Sequence, residues 1–372
     1  MKAFLILEDG TVFEGKHIGA DRDVVSEIVF NTSMAGYTEV FTDPSYAGQA
    51  ICMTYPLIGN YGVCLDDLES EKIWADAVIV RELSRIPSNF RCDISIQEFL
   101  EKNNTPGIEG IDTRKLVRIL REKGTMNGYI TTDESITFES VKDKIKAYTT
   151  GDVVSKVSCT EKVKLTSPNP RGEKIPPIAK NENGKGLKVA LLDVGAKRNI
   201  SDALLARGCE VTIYPYNTTA EEILADKPDG IMLSNGPGDP KECEGVIKEV
   251  KKLYDSDVPI FAICLGHQLM ALATGADTFK MKYGHRGGNH PVKDLQTGRV
   301  YISSQNHGYV VDTDKLDGSI AEPAFCNVND GTNEGLKYKN KNIFTVQFHP
   351  EACPGPQDTS FLFDRFIEMM RG

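Results

Sequence analysis

Residues 258–275, Val-Pro-Ile-Phe-Ala-Ile-Cys-Leu-Gly-His-Gln-Leu-Met-Ala-Leu-Ala-Thr-Gly, leave the backbone little choice. The apolar run 259–263 has strand length, and 268–274 carries apolar residues at helical spacing. Cys264, Leu265 and Gly266 lie between them with no residues spare for a loop. The chain must therefore pass from strand to helix at Cys264. Such an elbow lifts a side chain clear of the backbone and sets it at a helix N-terminus. The free N–H groups and positive dipole end found there favour a thiolate. Small residues at Ala262 and Gly266 suit the sharp turn. Read locally, Cys264 is either a buried core cysteine or a nucleophile.

From residue 187 onward the pattern is regular. Apolar runs at 188–192, 210–214, 230–233 and 259–263 alternate with helical patterns around 198–207, 220–226 and 242–254. This alternation predicts an α/β unit at 187–372, with a doubly wound, mostly parallel sheet covered by helices on both faces. Sites in such sheets lie beyond the carboxyl ends of the strands.

The first 150 residues are different. They offer a hairpin at 3–14, further strand candidates at 24–30, 50–54 and 77–81, and a Ser95/Glu98 capping box opening a helix. A second helix spans 112–124, capped by Asp112 or Thr113 and ended by Gly124. Strands and helices mix without strict alternation, which predicts an α+β domain over 1–150. The polar segment 31–39 reads as an exposed loop. Arg114, Lys115, Arg118 and Arg121 make a basic helical face, either solvated or docking a partner. Residues 151–186, rich in Pro, Gly and polar side chains, read as a linker.

The net charge of −10 argues against a nucleic-acid surface. Nine cysteines without a Cys-x-x-Cys pair suggest neither a zinc ribbon nor a disulfide framework, and point to a reducing, cytoplasmic setting. No stretch approaches the ~20 apolar residues of a membrane span. His285 and His290 could suggest a metal site, but the sequence offers no third ligand at suitable spacing, so no metal is expected.

A nucleophile needs a base. His349 follows the strand pattern 343–348, and Pro350 holds the backbone extended, so His349 and Glu351 share a face. Glu351 can then accept from Nδ1 of His349 and leave Nε2 for the thiol, a Cys–His–Glu triad. His267 is the rival base, set about 300° around the helix from Cys264. The loop Ser234-Asn-Gly-Pro-Gly-Asp-Pro240 is an ordinary turn, a weak phosphate cradle or, beside a nucleophile, half an oxyanion hole. In the last case Gly238 and Leu265 supply the N–H groups. Residues 303–309 read as a polar loop after a strand, suited to a polar amino-acid substrate.

Three blocks, Asn-Gly-Pro-Gly, Ile-Cys-Leu-Gly-His-Gln and Gln-Phe-His-Pro-Glu, resemble class I glutamine amidotransferases in content and order. Ala262 and Arg286 depart from that pattern, where Gly and His are usual. Asn-Thr-Ser-Met-Ala-Gly-Tyr-Thr-Glu, Thr-Asp-Pro-Ser-Tyr, Gly-Ile-Asp-Thr-Arg and Gly-His-x-Gly-Gly-Asn-His extend the resemblance to the small, glutaminase chains of carbamoyl-phosphate synthases. The resemblance implies glutamine breakdown through a γ-glutamyl thioester on Cys264, with His349 as base and acid and Glu351 orienting it. It implies glutamine contacts at Ser45, Gly236, Gly238, Leu265, Gln268, Asn306, Gly308 and Tyr309. It further implies a tight complex with a large chain that uses ATP and Mg2+ to make carbamoyl phosphate for arginine and pyrimidine synthesis. This chain itself is expected to hold no cofactor and to hydrolyse glutamine slowly when isolated. The alternatives are a glutaminase serving another synthetase and a non-catalytic regulatory subunit on the same fold.

Overall fold

The computed structural model describes residues 1–165, 179 and 186–372. The chain divides into two compact units, Met1–Gly151 and Asp152–Gly372.

In the first unit, strands β1 (Lys2–Leu7), β2 (Val12–Gly19), β3 (Val24–Asn31), β4 (Gln49–Met53), β6 (Ala77–Val80), β8 (Pro106–Glu109) and β9 (Met126–Thr131) close into a barrel in the order β1-β2-β8-β6-β4-β3-β9. A small separate pair, β5 (Leu57–Ile58) and β7 (Glu82–Leu83), lies beside it in sequence. Closure removes the sheet edges, and no local pattern in the sequence announced it. Helices α1 (Tyr37–Thr42), α2 (Ile96–Lys102), α3 (Thr113–Lys123) and α4 (Phe138–Ala147) complete the unit. The Asp112 cap and the Gly124 stop are used as read, and of the Ser95/Glu98 capping box the Ser95 half is present while Glu98 pairs with Lys102. Ser95 accepts from the Glu98 N–H, Asp112 accepts from the Lys115 N–H at 2.9 Å, and Gly124 ends α3 at φ 101°.

The expected exposed loop at 31–39 is a correction. Tyr37 is 1% exposed, starts α1 and stacks on Tyr61, with ring centroids 4.1 Å apart. One aromatic in a polar stretch supplies enough apolar area to bury the stretch 36–38, while Met34 stays 76% exposed.

In the second unit the parallel region runs β12 (Glu210–Pro215), β11 (Lys188–Asp193), β13 (Gly230–Leu233), β14 (Ile260–Ile263) and β19 (Ile343–Val346). Helices α6 (Arg198–Ala206), α7 (Ala220–Ala225), α8 (Glu244–Asp255), α9 (Leu265–Ala273) and α10 (Phe361–Arg371) accompany it. Strand β14 is buried along its whole length between β13 and β19, as a continuous apolar run requires. Phe261 stacks on Phe344 at 4.4 Å and meets Phe363 edge-on at 5.7 Å, tying α10 to the sheet.

Beyond β19 the sheet turns antiparallel through β18 (Asn333–Tyr338), β17 (Ala321–Asn327), β15 (Asp277–Asp294) and β16 (Val300–Asp312). Residues 303–309, expected as a loop, lie inside β16 and pair with β15. Their buried polar side chains bond along the strand, as in His307 Nε2 to Gln305 Oε1 at 3.2 Å. The stretch therefore reads as loop by composition and behaves as strand.

The expected linker at 151–186 is only partly a connector. Val154–Val157 forms a helical turn, α5, and Val163–Leu165 adds strand β10 antiparallel to β12. The Ser-Pro-Asn-Pro-Arg-Gly, Ile-Pro-Pro-Ile and most of the Asn-Glu-Asn-Gly-Lys-Gly segments lie outside the described residues. Among the described residues no helix is long and apolar enough to cross a membrane.

Candidate active site

Strand β14 delivers Cys264 to the carboxyl edge of the parallel strands, and α9 begins at the next residue. Cys264 has φ 53° and ψ −106°. That conformation is strained for a residue bearing a Cβ, by roughly 1–3 kcal/mol. Bonds on every side hold it. Its N–H donates to Val346 O at 2.8 Å, its carbonyl accepts from Gln268 N–H at 3.1 Å, and the Gly266 N–H donates to Ser234 O at 3.0 Å. A Cβ on Gly266 would stand 2.6 Å from Leu233 O, so the helix can start this close to β13 only with glycine there. The buried Ala262 sits in register between Leu233 and Thr345, and the elbow forms with its methyl in place. The sulfur is buried without being sealed in hydrocarbon. Its Sγ lies 3.7 Å from Asn306 O.

His349 follows β19, the strand paired directly with β14. Strand β19 stops at Val346, two residues short of the expected end, and residues 349–352 form a turn closed by the Ala352 N–H on His349 O at 3.1 Å. The His349–Glu351 contact thus comes from a turn and not from extended backbone. Pro350, read as a stiffener, occupies the turn position its fixed φ suits. The His349 N–H donates to Ser304 O at 2.9 Å, which anchors the turn to β16.

His349 Nδ1 lies 2.6 Å from Glu351 Oε1, and both side chains are fully buried. Nε2 makes no hydrogen bond of ordinary geometry; the neighbour acting on the ring is the Cys264 side chain. Burial works against an imidazolium here. The Glu351 carboxylate and Cys264 outweigh it, and the His349 pKa is raised to about 10. Burial also works against the Glu351 carboxylate, but Lys197 and His349 bring its pKa down to about 2.

Lys197 is the member sequence reasoning missed. Its Nζ lies 3.1 Å from Glu351 Oε1 and donates to Ala352 O at 2.5 Å, and its side chain is 3% exposed. Its backbone N–H donates to Asn235 Oδ1 at 3.0 Å, while Ser234 Oγ accepts from the Val194 N–H at 3.0 Å. These bonds tie the loop after β11 to the loop after β13. The available signal was position, because Lys197 follows a strand whose carboxyl end faces the site.

The rival base is elsewhere. His267 Nδ1 lies 2.7 Å from Thr345 Oγ1, and burial pushes its pKa down to about 3. Gly236 packs against Leu265: a Cβ on it would lie 2.0 Å from Val194 O and 2.8 Å from Leu265 Cδ2. Gly238 takes φ 89°. The Gly238 and Leu265 N–H groups donate to no backbone acceptor among the described residues. Gln268 Nε2 donates to Tyr309 O at 2.9 Å and to Gln347 Oε1 at 3.0 Å, which joins α9 to β16. Asn306, Gly308 and Tyr309 lie together on β16. Ser45 belongs to the first unit, buried in the 3-10 turn Pro44–Tyr46 with its N–H on Asp43 Oδ1.

His285 gathers partners that its sequence spacing does not reveal. Its Nε2 lies 2.7 Å from Asp330 Oδ2 and its Nδ1 3.5 Å from Glu334 Oε1, with His307 close by. Arg286 NH1 donates to Tyr283 O at 2.8 Å on the same strand, away from the elbow's own bonds.

A strained cysteine at a strand–helix elbow, beside a buried His–Glu pair at the carboxyl edge of a mostly parallel sheet, defines a glutamine amidotransferase domain. Residues 190–369 match the class-I glutamine amidotransferase family model. Residues 5–130 match that of the carbamoyl-phosphate synthase small chain, CPSase domain. Whole-length relatives agree. The carbamoyl phosphate synthase small chain of Clostridium perfringens is 50% identical over 99% of this chain and 99% of its own. That of Listeria monocytogenes serotype 4b is 48% identical over 100% of this chain and 97% of its own. The pyrimidine-specific small chain of Bacillus subtilis is 48% identical over 100% and 96%. The chain belongs to the carbamoyl phosphate synthase small-chain family and is a glutamine-hydrolysing subunit of that enzyme.

Proposed function

We propose that Cys264 attacks glutamine as a thiolate paired with the His349 imidazolium. The observation that carries this reading is the 2.6 Å His349–Glu351 contact, with both groups buried and the other ring nitrogen left for the cysteine. The sulfur adds to the side-chain amide carbon, and the Leu265 and Gly238 N–H groups hold the resulting oxyanion. His349 Nε2 gives its proton to the departing nitrogen, and ammonia leaves behind a γ-glutamyl thioester. His349, now neutral, takes a proton from the water that attacks the thioester. Glutamate departs, and the thiolate–imidazolium pair is restored. Glu351 keeps the ring oriented throughout, and the Lys197 charge keeps Glu351 ionised. Glutamine is held by Gly236, Gln268, Asn306, Gly308 and Tyr309.

The ammonia serves a large partner chain, where ATP and Mg2+ convert it with bicarbonate into carbamoyl phosphate. This chain needs no cofactor of its own for the glutaminase step. The supporting points are the relatives' common name and the absence of a phosphate-loop motif from the sequence. The setting is cytoplasmic, and the product feeds arginine or pyrimidine synthesis.

The test is ammonia release from glutamine by the isolated chain and by its Cys264→Ser variant, together with labelling by a glutamine analogue bearing an electrophile. Loss of release in Cys264→Ser and labelling at Cys264 in the wild type are expected. Release at the wild-type rate by Cys264→Ser would overturn the assignment.

A further inference from the structure

Helix α3 in the first unit carries Arg114, Arg118 and Arg121 at i, i+4 and i+7, so the three share one face. All three are exposed, and none forms an ion pair among the described residues. They line a cavity of about 820 Å³ together with Thr54, Pro56, Arg81 and Val117. Arg81 is pinned at the rim, its NH1 donating to Gly110 O at 3.0 Å and Ile111 O at 3.2 Å. Asp112 also lines the cavity, but one of its oxygens accepts from the Lys115 N–H as the helix cap. Tyr55, next to the cavity wall in sequence, is 39% exposed.

Like charges stacked at i, i+4 and i+7 repel one another and weaken the helix that carries them. Glu122 stands at i+4 from Arg118 but forms no ion pair with it among the described residues, whereas Glu98 and Lys102 pair at i, i+4 on α2. Here the concentration of positive charge stands on a chain whose net charge is −10. Three free guanidinium groups, one fixed guanidinium and an apolar floor at Val117 and Pro56 match the chemistry of an interface core. Arginine and aromatic side chains are enriched there, and planar guanidinium groups bind carboxylates two bonds at a time.

We infer that this arginine-lined cavity on α3 docks an acidic segment of the large partner chain, with carboxylates entering between Arg81, Arg114, Arg118 and Arg121. The inference rests on the proposed partnership and specifies the surface that makes it. None of these residues belongs to the glutaminase site. Docking and hydrolysis therefore separate on mutation.

The experiment titrates the full-length chain, as wild type, Arg118→Glu, Arg118→Gln and Arg114→Glu, against the intact large chain at low and high salt. Glutaminase activity of each isolated chain is measured in parallel. Wild-type association should weaken with ionic strength. Arg118→Glu and Arg114→Glu should weaken it at least tenfold at low salt, with a smaller deficit at high salt, and Arg118→Gln should fall between. Glutamine-dependent carbamoyl phosphate formation at limiting subunit concentration should drop in step. Formation from added ammonia by the large chain, and glutaminase activity of the isolated variants, should stay at wild-type levels. Association within twofold of wild type for both charge reversals, in folded variants, would overturn the docking surface and leave the proposed function standing. Failure of the wild-type chain to associate with the large chain at all would overturn both.

Discussion

Replacing Lys197 by Met removes the ammonium that faces Glu351 across 3.1 Å. At an effective dielectric of about 20, attraction between unit charges at that separation is about 5 kcal/mol. Both groups are almost completely buried, so desolvation offsets much of that attraction in the intact pair. It does not offset the loss when one partner is removed. Lys197→Met leaves the Glu351 carboxylate with His349 alone and strips Ala352 O of its donor. Glu351→Gln leaves an ammonium facing an amide. Each single change should cost about 3–5 kcal/mol in the stability of the second unit. The double variant Lys197→Met/Glu351→Gln removes both charges at once and should be more stable than the sum of the two costs by about 2 kcal/mol or more. Urea unfolding of all four proteins, followed by fluorescence and by protease resistance of the second unit, supplies the cycle. Single costs below ~1 kcal/mol that simply add would refute the claim that these charges form one coupled buried set.

Three further outcomes follow from the same geometry. The His349 pKa is raised from 6.5 to about 10, so its stabilising contribution is complete below pH 6.5 and is lost as pH rises through 10; that of Glu351, lowered from 4.5 to about 2, is complete above pH 4.5 and is lost as pH falls through 2. The stability difference between wild type and His349→Asn should therefore be largest between pH 4.5 and 6.5 and shrink on either side, as read by thermal unfolding across the pH range; a difference that grows above pH 8 would contradict this. Gly266→Ala drives a methyl to 2.6 Å from Leu233 O, so it should destabilise the second unit by about 1–3 kcal/mol and abolish glutamine hydrolysis; near-normal activity would mean α9 can move away from β13. His267→Asn should lower hydrolysis by less than tenfold, because that ring bonds Thr345, whereas His349→Asn should lower it by about 100-fold or more; the reverse order would make His267 the base.

The parts of this molecule legible in the sequence are those written in short-range patterns. Continuous apolar runs such as Ile260–Ile263 announce a strand buried on both faces, and the absence of spare residues around Cys264 announces the elbow. His349 and Glu351 were legible as a pair because a single residue, Pro350, separates them in sequence. Even so, the pair meets across a turn and not along a strand. What stayed hidden depends on distant partners. Lys197 stands 154 residues from Glu351, and no local periodicity marks a lysine that folding will bury. Residues 303–309 look like a loop because strand polarity is tolerable only when neighbouring strands and side chains satisfy every group. The barrel of the first unit was hidden for a related reason. Its closure depends on β1 pairing with β9, more than a hundred residues downstream.

The central chemical claim is a covalent bond between glutamine and one sulfur. It is tested most directly by acid-quenching the isolated chain during turnover of isotopically labelled glutamine and mapping the label by peptide mass spectrometry. A glutamyl adduct on the peptide containing Cys264, cleaved by base and absent from Cys264→Ser, is the predicted result. Steady ammonia release with no label on that peptide at any quench time, and undiminished release by Cys264→Ser, would contradict it.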